Sequence, residues 1–221
     1  MEFEMADKPG RPKGETQTRA ALIEAAQGCF LHNSYDRVSI RELARRADVD
    51  AAMIRYYFDS KAGLFETMVR ETVAPVASMF KQDLKKQNNS PGALMSAYYQ
   101  MMEKTPALPR LIFQVLNQQT SDEAFSIVSH VIQEMLGFAG DWIQDLSHQQ
   151  RLNPQLDPQW VRLSFISLMV FPLIAPKVIL DELNLPLSQS MLDNLLKHNI
   201  NVMNQGLFQD PSQQSSESGA Q

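Results

Sequence analysis

Four side chains between residues 51 and 61 have the types and spacing to contact a nucleic acid. Ala51 and Ala52 are small enough to allow close approach, and a methyl group can touch a thymine methyl. Arg55 lies one turn further along and is long enough to reach a base edge or a phosphate. Lys61 would stand in the first turn of a helix, where a cation is unfavourable unless a phosphate binds there. The alternative is a solvated lysine that costs about a few tenths of a kcal/mol and has no function.

A short, well-marked helix is predicted to precede these residues. Ser39 and Glu42 have the S-x-x-E spacing of a capping box, which predicts a helix start at this point. The helix would place Arg41 and Arg45 together on an outward face, because residues four apart lie on the same side. Its core-facing positions are predicted to be Ile40, Leu43, Ala44 and Ala47.

A second short helix is predicted after a tight turn at 47–49. Asp50 is its predicted N-cap, and the helix should run to about Tyr57. The pair 39–46 and 50–57 has the spacing of a helix-turn-helix motif, whose second helix lies in the DNA major groove. The inward positions are predicted to be Val49, Ile54 and Phe58, and the outward positions Ala51, Ala52, Arg55 and Tyr56.

Longer helices are predicted on both sides of this pair. The first begins near Glu15 and ends at the turn-forming residues 32–34. The other runs from Lys61 to about Lys86 and is capped by residues 59–60. The core positions of the first helix are predicted to be Leu22, Ile23, Ala26 and Phe30.

The segment 16–65 also carries a set of residues with a family likeness. The set comprises Thr18, Arg19, Ala26 and Phe30, then residues 39–44, then Val49, Ile54, Tyr57, Phe58, Ser60, Lys61, Leu64 and Phe65. In this respect the segment resembles the DNA-binding domain of the TetR (tetracycline-repressor) family of bacterial transcriptional regulators. The resemblance implies an all-α fold, with an N-terminal three-helix helix-turn-helix DNA-binding domain and a larger C-terminal helical ligand-binding and dimerisation domain.

The resemblance also implies roles for individual residues. Ser39 would hydrogen-bond a phosphate, and Arg41 would read a base edge, typically that of guanine. The recognition face would consist of Ala51, Ala52, Met53 and Arg55, and the phosphate backbone would be held by Tyr56, Tyr57 and Lys61. Three positions depart from the family pattern, where Tyr, Gly and Ser are usual: these are Arg55, Asp48 and Asp50.

Charge and composition suggest how the chain is divided. From Lys8 to Arg70 there are 11 basic and 8 acidic residues, whereas from Glu71 to the end there are 9 basic and 14 acidic residues. A basic head that meets a polyanion and an acidic body fit this asymmetry. A basic arm with Lys8, Arg11 and Lys13 precedes the first helix. It could become ordered in the minor groove of DNA, or it is a solvated tail. We expect a flexible basic arm at 1–14, the DNA-binding domain at 15–65, the helical body at 66–208 and a disordered tail at 209–221.

The body is predicted to be helical throughout. Its helices are expected near 92–103, 107–118, 121–150, 158–182 and 188–206. The apolar run 163–180 is interrupted by Pro172, Pro176 and Lys177, which favours a buried or interface helix over a membrane span. The two prolines should kink it. The last two long helices resemble the pair that forms a four-helix dimer interface, with a stripe of Leu192, Leu195, Leu196 and Met203.

Aromatic and methionine side chains between the head and these helices could line an apolar ligand pocket. Core packing is the alternative for each of them. The candidates are Met95, Tyr98, Tyr99, Met102, Phe113, Phe125, Met135, Phe138 and Trp142.

The family resemblance implies a homodimeric transcriptional regulator, most often a repressor, and we expect it to be cytoplasmic. It would bind a pseudo-palindromic operator and be released by a small hydrophobic or aromatic inducer. A helical small-molecule or lipid carrier without DNA activity is the alternative. We expect no enzymatic activity, cofactor or metal, because no catalytic constellation or metal-ligand spacing is recognisable in the sequence. The single Cys29 and the absence of an apolar leader fit a reducing compartment.

Overall fold

The computed structural model describes residues 13–86, 91–118 and 121–208. That part of the chain is built of helices, with one isolated antiparallel β-bridge between Leu152 and Phe208. The prediction of an all-α fold is therefore confirmed. The predicted C-terminal tail and all but the last two residues of the predicted basic arm lie outside the described residues.

The N-terminal head contains three helices and a short 3-10 turn at Tyr35–Arg37. Its helices are α1 (Lys13–Phe30), α2 (Ile40–Ala47) and α3 (Ala52–Phe58). The core positions predicted for α1 are all buried, as are Leu43, Ile54 and Phe58. The rings of Phe30, Tyr35 and Phe65 pack together at the centre, with centroid distances from 4.9 to 5.6 Å. The head therefore has an aromatic core that orients its three helices.

Helix α4 connects the head to the body. It runs over Lys61–Lys86, as predicted, and packs against α1 and α3 as well as against body helices. The body helices that follow are α5 (Pro91–Lys104), α6 (Leu108–Gln118) and α7 (Asp122–His148). Helices α4 and α7 form the most extensive helix pair of the described chain. One continuous element thus reaches from the DNA-binding motif into the centre of the body.

The predicted helix at 158–182 is two helices, α8 (Pro158–Ile174) and α9 (Lys177–Glu182). Pro172 is accommodated inside α8, whereas at Pro176 the chain is extended, with ψ of 137° at Ala175 and 138° at Pro176. The expected kink at Pro176 is therefore a full break, because the residue before a proline is pushed out of the α region.

The described part of the chain closes with α10 (Gln189–Val202) and a π-helical turn at Met203–Leu207. The predicted stripe on this segment packs into its own subunit: Leu192 and Met203 are buried, and Leu195 and Leu196 lie against the core. Leu195 and Leu196 are only half-buried, and the role of this segment in a dimer interface stays a prediction. None of the described helices is long and apolar enough to cross a membrane.

Candidate nucleic-acid interface and ligand cavity

The start of α2 orients its two outward arginines differently. Ser39 Oγ accepts a hydrogen bond from the Glu42 backbone N–H at 3.1 Å, which is the first half of the predicted capping box. The Glu42 carboxylate binds Arg45 at 2.7 Å, and this hydrogen bond lowers the pKa of Glu42. Arg41 is exposed and has no side-chain hydrogen bond or ion pair within the described chain. Of these two arginines, Arg41 is therefore the one available to a ligand, whereas the third arginine of the helix, Arg46, lies against Gly28 of α1.

Ile40 is not a core residue, contrary to the sequence-based prediction. Its side chain is 41% exposed, whereas Leu43 and Ala44 are buried and Ala47 is half-buried. Side chains on a helix tilt toward its N-terminus, so the first residue of α2 extends past the packed turns. Ile40 consequently lies on the surface beside Ser39 and Arg41.

The turn before α3 contains Asp48 and Asp50, the two aspartates that depart from the family pattern, and both fit its geometry. Asp48 adopts the left-handed conformation, with φ of 54° and ψ of 46°. This conformation is easiest for glycine, but aspartate tolerates it. Asp50 Oδ1 accepts a hydrogen bond from the Ala52 backbone N–H at 2.7 Å, so Asp50 caps α3 as predicted.

Helix α3 presents a recognition face of small and basic residues. Ala51, Ala52 and Arg55 are exposed, and Tyr56 is 65% exposed. The opposite side is anchored by the buried Ile54 and Phe58. Met53 and Tyr57 are half-buried and pack against the head core. The predicted division of α3 into a core side and an outward side is confirmed.

The junction between α3 and α4 has little space. Ser60 Oγ accepts a hydrogen bond from the Gly63 backbone N–H at 3.0 Å, so Ser60 caps α4. A Cβ atom at Gly63 would lie 2.0 Å from the backbone oxygen of Phe58. Only glycine permits this close approach, which fixes the end of the recognition helix against the start of α4.

Lys61 contacts its own chain rather than open solvent. Its ammonium group donates to the backbone carbonyls of Tyr35 at 3.1 Å and Val38 at 3.2 Å, and it lies 4.0 Å from the centroid of the Tyr35 ring. These contacts explain a cation in the first turn of α4 without a phosphate. The predicted phosphate contact of Lys61 stays a prediction, and the lysine also ties the chain before α2 to α4.

A cavity of about 260 Å³ lies within the body, enclosed by α4, α5, α6, α7 and α8. Four of the nine predicted pocket residues line it, and these are Tyr98, Met102, Phe113 and Met135. The other five do not: Met95, Tyr99, Phe125, Phe138 and Trp142. Met95, Tyr99 and Trp142 are buried in the core, and Phe138 lies under the Lys81 ammonium group at 4.5 Å.

Sequence reasoning missed the contributions of α4 and α8 to this cavity. Val73, Val76 and Phe80 come from α4, and Phe165 and Met169 come from α8. The α8 residues have the i, i+4 spacing of one helix face, which is the signal that could have identified them. Their shared helix face could not be recognised from the sequence, because the surrounding run is apolar on all sides of the helix.

Together, the capped pair of short helices α2 and α3, its tight turn and its exposed basic face have the geometry of a helix-turn-helix motif. Residues 22–68 match the family described as bacterial regulatory proteins, tetR family. A probable HTH-type transcriptional regulator of Bacillus subtilis strain 168, YttP, is 40% identical over 57 residues. The match covers 26% of this chain and 28% of that relative, so the two are alike over about a quarter of their lengths. In residues 22–68 the chain is therefore similar to the DNA-binding domain of this family.

Solved structures with the same fold extend the likeness to the body. NalD of Pseudomonas aeruginosa, the secondary repressor of the MexAB-OprM multidrug efflux pump, superimposes with a TM-score of 0.65. It is 20% identical, and the alignment covers 90% of this chain and 100% of that one. The fatty acid degradation regulator FadR of Bacillus halodurans gives a TM-score of 0.65 at 14% identity, over 83% and 96% of the two chains. At these identities the likeness concerns the fold.

Proposed function

We propose that the protein is a homodimeric transcriptional repressor that binds a pseudo-palindromic operator through α2 and α3 and is released by a small hydrophobic or aromatic inducer. The observation that carries this proposal is the open face formed by Arg41, Ala51, Ala52 and Arg55. These side chains are exposed on a capped helix pair whose other side is buried. A repressor that binds an operator would act in the bacterial cytoplasm. We expect it to need no cofactor.

The DNA face divides into base contacts and phosphate contacts. Arg41 and Arg55 carry two exposed guanidinium groups suited to bidentate contact with guanine. Ala51 and Ala52 let the start of α3 approach the bases closely, with Met53 at the edge of the face. Ser39, Tyr56, Tyr57 and Lys61 are assigned to the phosphate backbone. Phosphate contacts position the head, and base contacts select the sequence.

The head at 15–65 is assigned to DNA, and the body at 66–208 to the inducer and the second subunit. Support for a dimer comes from α8, where Trp160, Leu163 and Phe171 are 68, 53 and 52% exposed. These residues follow a helical repeat along one side, and an exposed apolar face of this kind is typical of a subunit interface. The dimer would form through α8 together with the outward side of α10, where Val202 is exposed.

Helix α4 is the element that would transmit inducer binding. Val73, Val76 and Phe80 line the cavity, and the same helix begins at Lys61 beside the end of α3. An inducer that binds one arrangement of α4 better shifts the population toward it. DNA-competent heads must stand about 34 Å apart, or a multiple of that distance, so a changed spacing would release the operator.

Selection of bound sequences from a random DNA pool tests the proposal. The ligand-free protein should enrich a pseudo-palindrome, and the affinity should fall as salt rises. Arg41→Ala should weaken operator binding by about 5- to 150-fold, because a good bidentate base contact is worth roughly 1–3 kcal/mol. Lys104→Ala, at an exposed cation of the body, is the matched control and should leave binding unchanged.

The cavity alone would also suit a small-molecule or lipid carrier without DNA activity. The two functions differ in the outcome of the same experiment. A carrier would enrich no sequence, and Arg41→Ala would have no DNA phenotype. That result would overturn the repressor proposal.

A further inference from the structure

The wall of the body cavity has one hydrogen-bonding side chain. The residues that line the cavity are aliphatic, phenylalanine, proline or methionine, with the single exception of Tyr98. No charged side chain of the described residues lines it. Arg110 of α6 and Arg162 of α8 instead donate to the backbone carbonyls of Leu173 and Leu136. The cavity can therefore offer a ligand apolar contact and one phenol.

Two adjacent tyrosines of α5 have different surroundings. Pro172 has no N–H, so the carbonyl of Leu168 loses its helical partner. Tyr99 donates to that carbonyl at 3.1 Å, and Asn199 Nδ2 donates to it at 3.0 Å and to the Tyr99 hydroxyl at 3.2 Å. Tyr99 is thus committed to the structure of α8, which explains why it is buried without lining the cavity.

The hydroxyl of Tyr98 has no comparable hydrogen bonds. Its side chain is 8% exposed and lines the cavity, yet its hydroxyl makes no hydrogen bond within the described chain. Buried hydroxyls are normally paired, because an unpaired one loses the hydrogen bonds it made with water. Burial also raises the pKa of Tyr98, so the phenol is a neutral donor under physiological conditions. The Tyr98 hydroxyl is not among the fully enclosed unpaired polar atoms of the described residues, so it keeps some access, and an acceptor oxygen of a ligand in the cavity could pair with it.

We propose that the cavity selects an uncharged, mainly hydrocarbon ligand with one acceptor oxygen, which the Tyr98 hydroxyl binds. This inference rests on the proposed inducer function and adds the ligand class and the residue that determines it. An anionic or cationic group would enter an apolar site without a counter-charge, and that desolvation is costly. A hydrocarbon without an oxygen would leave the phenol unpaired. The ligand class is therefore that of a neutral ketone, ether or alcohol.

The cavity volume limits the size of the ligand. At about 260 Å³ it exceeds the roughly 150 Å³ cavity that holds benzene. It lies just below the range of about 300–1,000 Å³ typical of sites for drug-sized molecules. A molecule of two fused rings, with the oxygen on a short substituent, fits this interval. Phe113 lines the cavity and is half exposed, which marks the side on which the cavity meets the surface.

Three naphthalene probes of matched shape test the inference. Acetonaphthone carries a neutral acceptor oxygen, ethylnaphthalene carries none, and naphthoate carries a negative charge at neutral pH. Their affinities for the DNA-free full chain are measured by equilibrium dialysis. We expect acetonaphthone to bind about 3- to 10-fold more tightly than ethylnaphthalene, which is the range of one net hydrogen bond. Naphthoate should bind at least about 100-fold more weakly than acetonaphthone.

Two conservative variants decide whether Tyr98 causes this selectivity. Tyr98→Phe should bring acetonaphthone down to the affinity of ethylnaphthalene, whose own affinity should stay within about twofold. Tyr99→Phe is the matched control and should preserve the ratio. Tight naphthoate binding, an unchanged ratio in Tyr98→Phe, or no binding of any probe would overturn the inference. Because no DNA is present, failure of operator binding would leave these outcomes intact and would count against the repressor proposal alone.

Discussion

Arg41 and Arg55 are the two arginines of the proposed DNA face, and neither side chain has a hydrogen bond or ion pair within the described chain. Both are exposed, whereas Arg45 between them is held by Glu42. Arg41 stands near the start of α2, and Arg55 lies at the middle of α3. The second position is the one at which the family pattern has tyrosine. Arg55 is therefore the position at which the proposed DNA contacts would depart from the family pattern.

We predict that Arg55→Ala relaxes operator specificity at one base position if Arg55 reads a base. Binding to the best sequence should then fall by about 1–3 kcal/mol, while binding to sequences altered at that position changes little. If Arg55 contacts a phosphate, all sequences should weaken equally and the salt slope should drop by about one. Titration of single-position operator variants at several salt concentrations separates the two outcomes.

Arg55→Lys is the matched variant for this experiment. Lysine keeps the charge but cannot make the planar, bidentate contact of a guanidinium group. A base reader should lose specificity in Arg55→Lys as well, whereas a phosphate contact should be largely restored. Wild-type specificity and salt slope in Arg55→Ala would exclude Arg55 from the interface altogether.

The residues of the head that sequence reasoning predicted correctly act over short distances along the chain. The caps at Ser39, Asp50 and Ser60 each bind a backbone N–H two or three residues away. Lys61 was interpreted less well, because its partners are carbonyls 23 and 26 residues earlier. Local chemistry can be read from spacing, but a tertiary partner that is a backbone atom leaves no mark in the sequence.

At the scale of helices, α8 shows how a proline can be stabilised instead of breaking the helix. The Leu168 carbonyl freed by Pro172 is satisfied by Tyr99 and the buried Asn199. Pro176 ends the helix, because the chain is extended there. The two prolines could not be distinguished from sequence, since the residues that rescue the first are 69 and 31 positions away from Leu168.

We predict that Asn199→Ala lowers the free energy of unfolding by about 1–3 kcal/mol, because it leaves buried polar groups with fewer partners. Asn201→Ala is the matched control. Asn201 is exposed on the same helix and hydrogen-bonds only the nearby Gln205. Urea unfolding at a fixed protein concentration measures both variants. Equal midpoints for the two variants would show that the contact with α8 is dispensable.

In the whole molecule, a hydrogen bond links the head to the body in addition to the covalent connection through α4. The Tyr35 hydroxyl, in the head, donates a hydrogen bond to the carboxylate of Glu123, in the first turn of α7. The same α7 supplies Ile132, Met135 and Ala139 to the cavity wall. Tyr35 also supports Lys61 and the aromatic core of the head. A displacement of α7 by a ligand therefore has a direct route to the segment that precedes α2.

We predict that Tyr35→Phe weakens the communication between inducer and operator more than it weakens either binding event. The variant keeps the ring that packs against Phe30 and Phe65 but removes the hydroxyl that reaches Glu123. The measurement is the operator affinity with and without a releasing compound, with acetonaphthone tested first. The factor between the two affinities, typically about 5- to 150-fold in allosteric proteins, should shrink by at least about threefold.

Two further measurements test this prediction: the effect of the operator on ligand affinity, and a double-mutant cycle of Tyr35 and Glu123. Ligand affinity measured with and without operator must change by the same factor, because coupling free energy is shared by the two sites. Glu123→Gln should reduce the factor as well. The double variant should have the same factor as the single variants, because each substitution disrupts the same Tyr35–Glu123 contact. An undiminished factor in Tyr35→Phe, with normal binding at both sites, would leave α4 as the sole route, and the Tyr35–Glu123 contact would then serve stability alone.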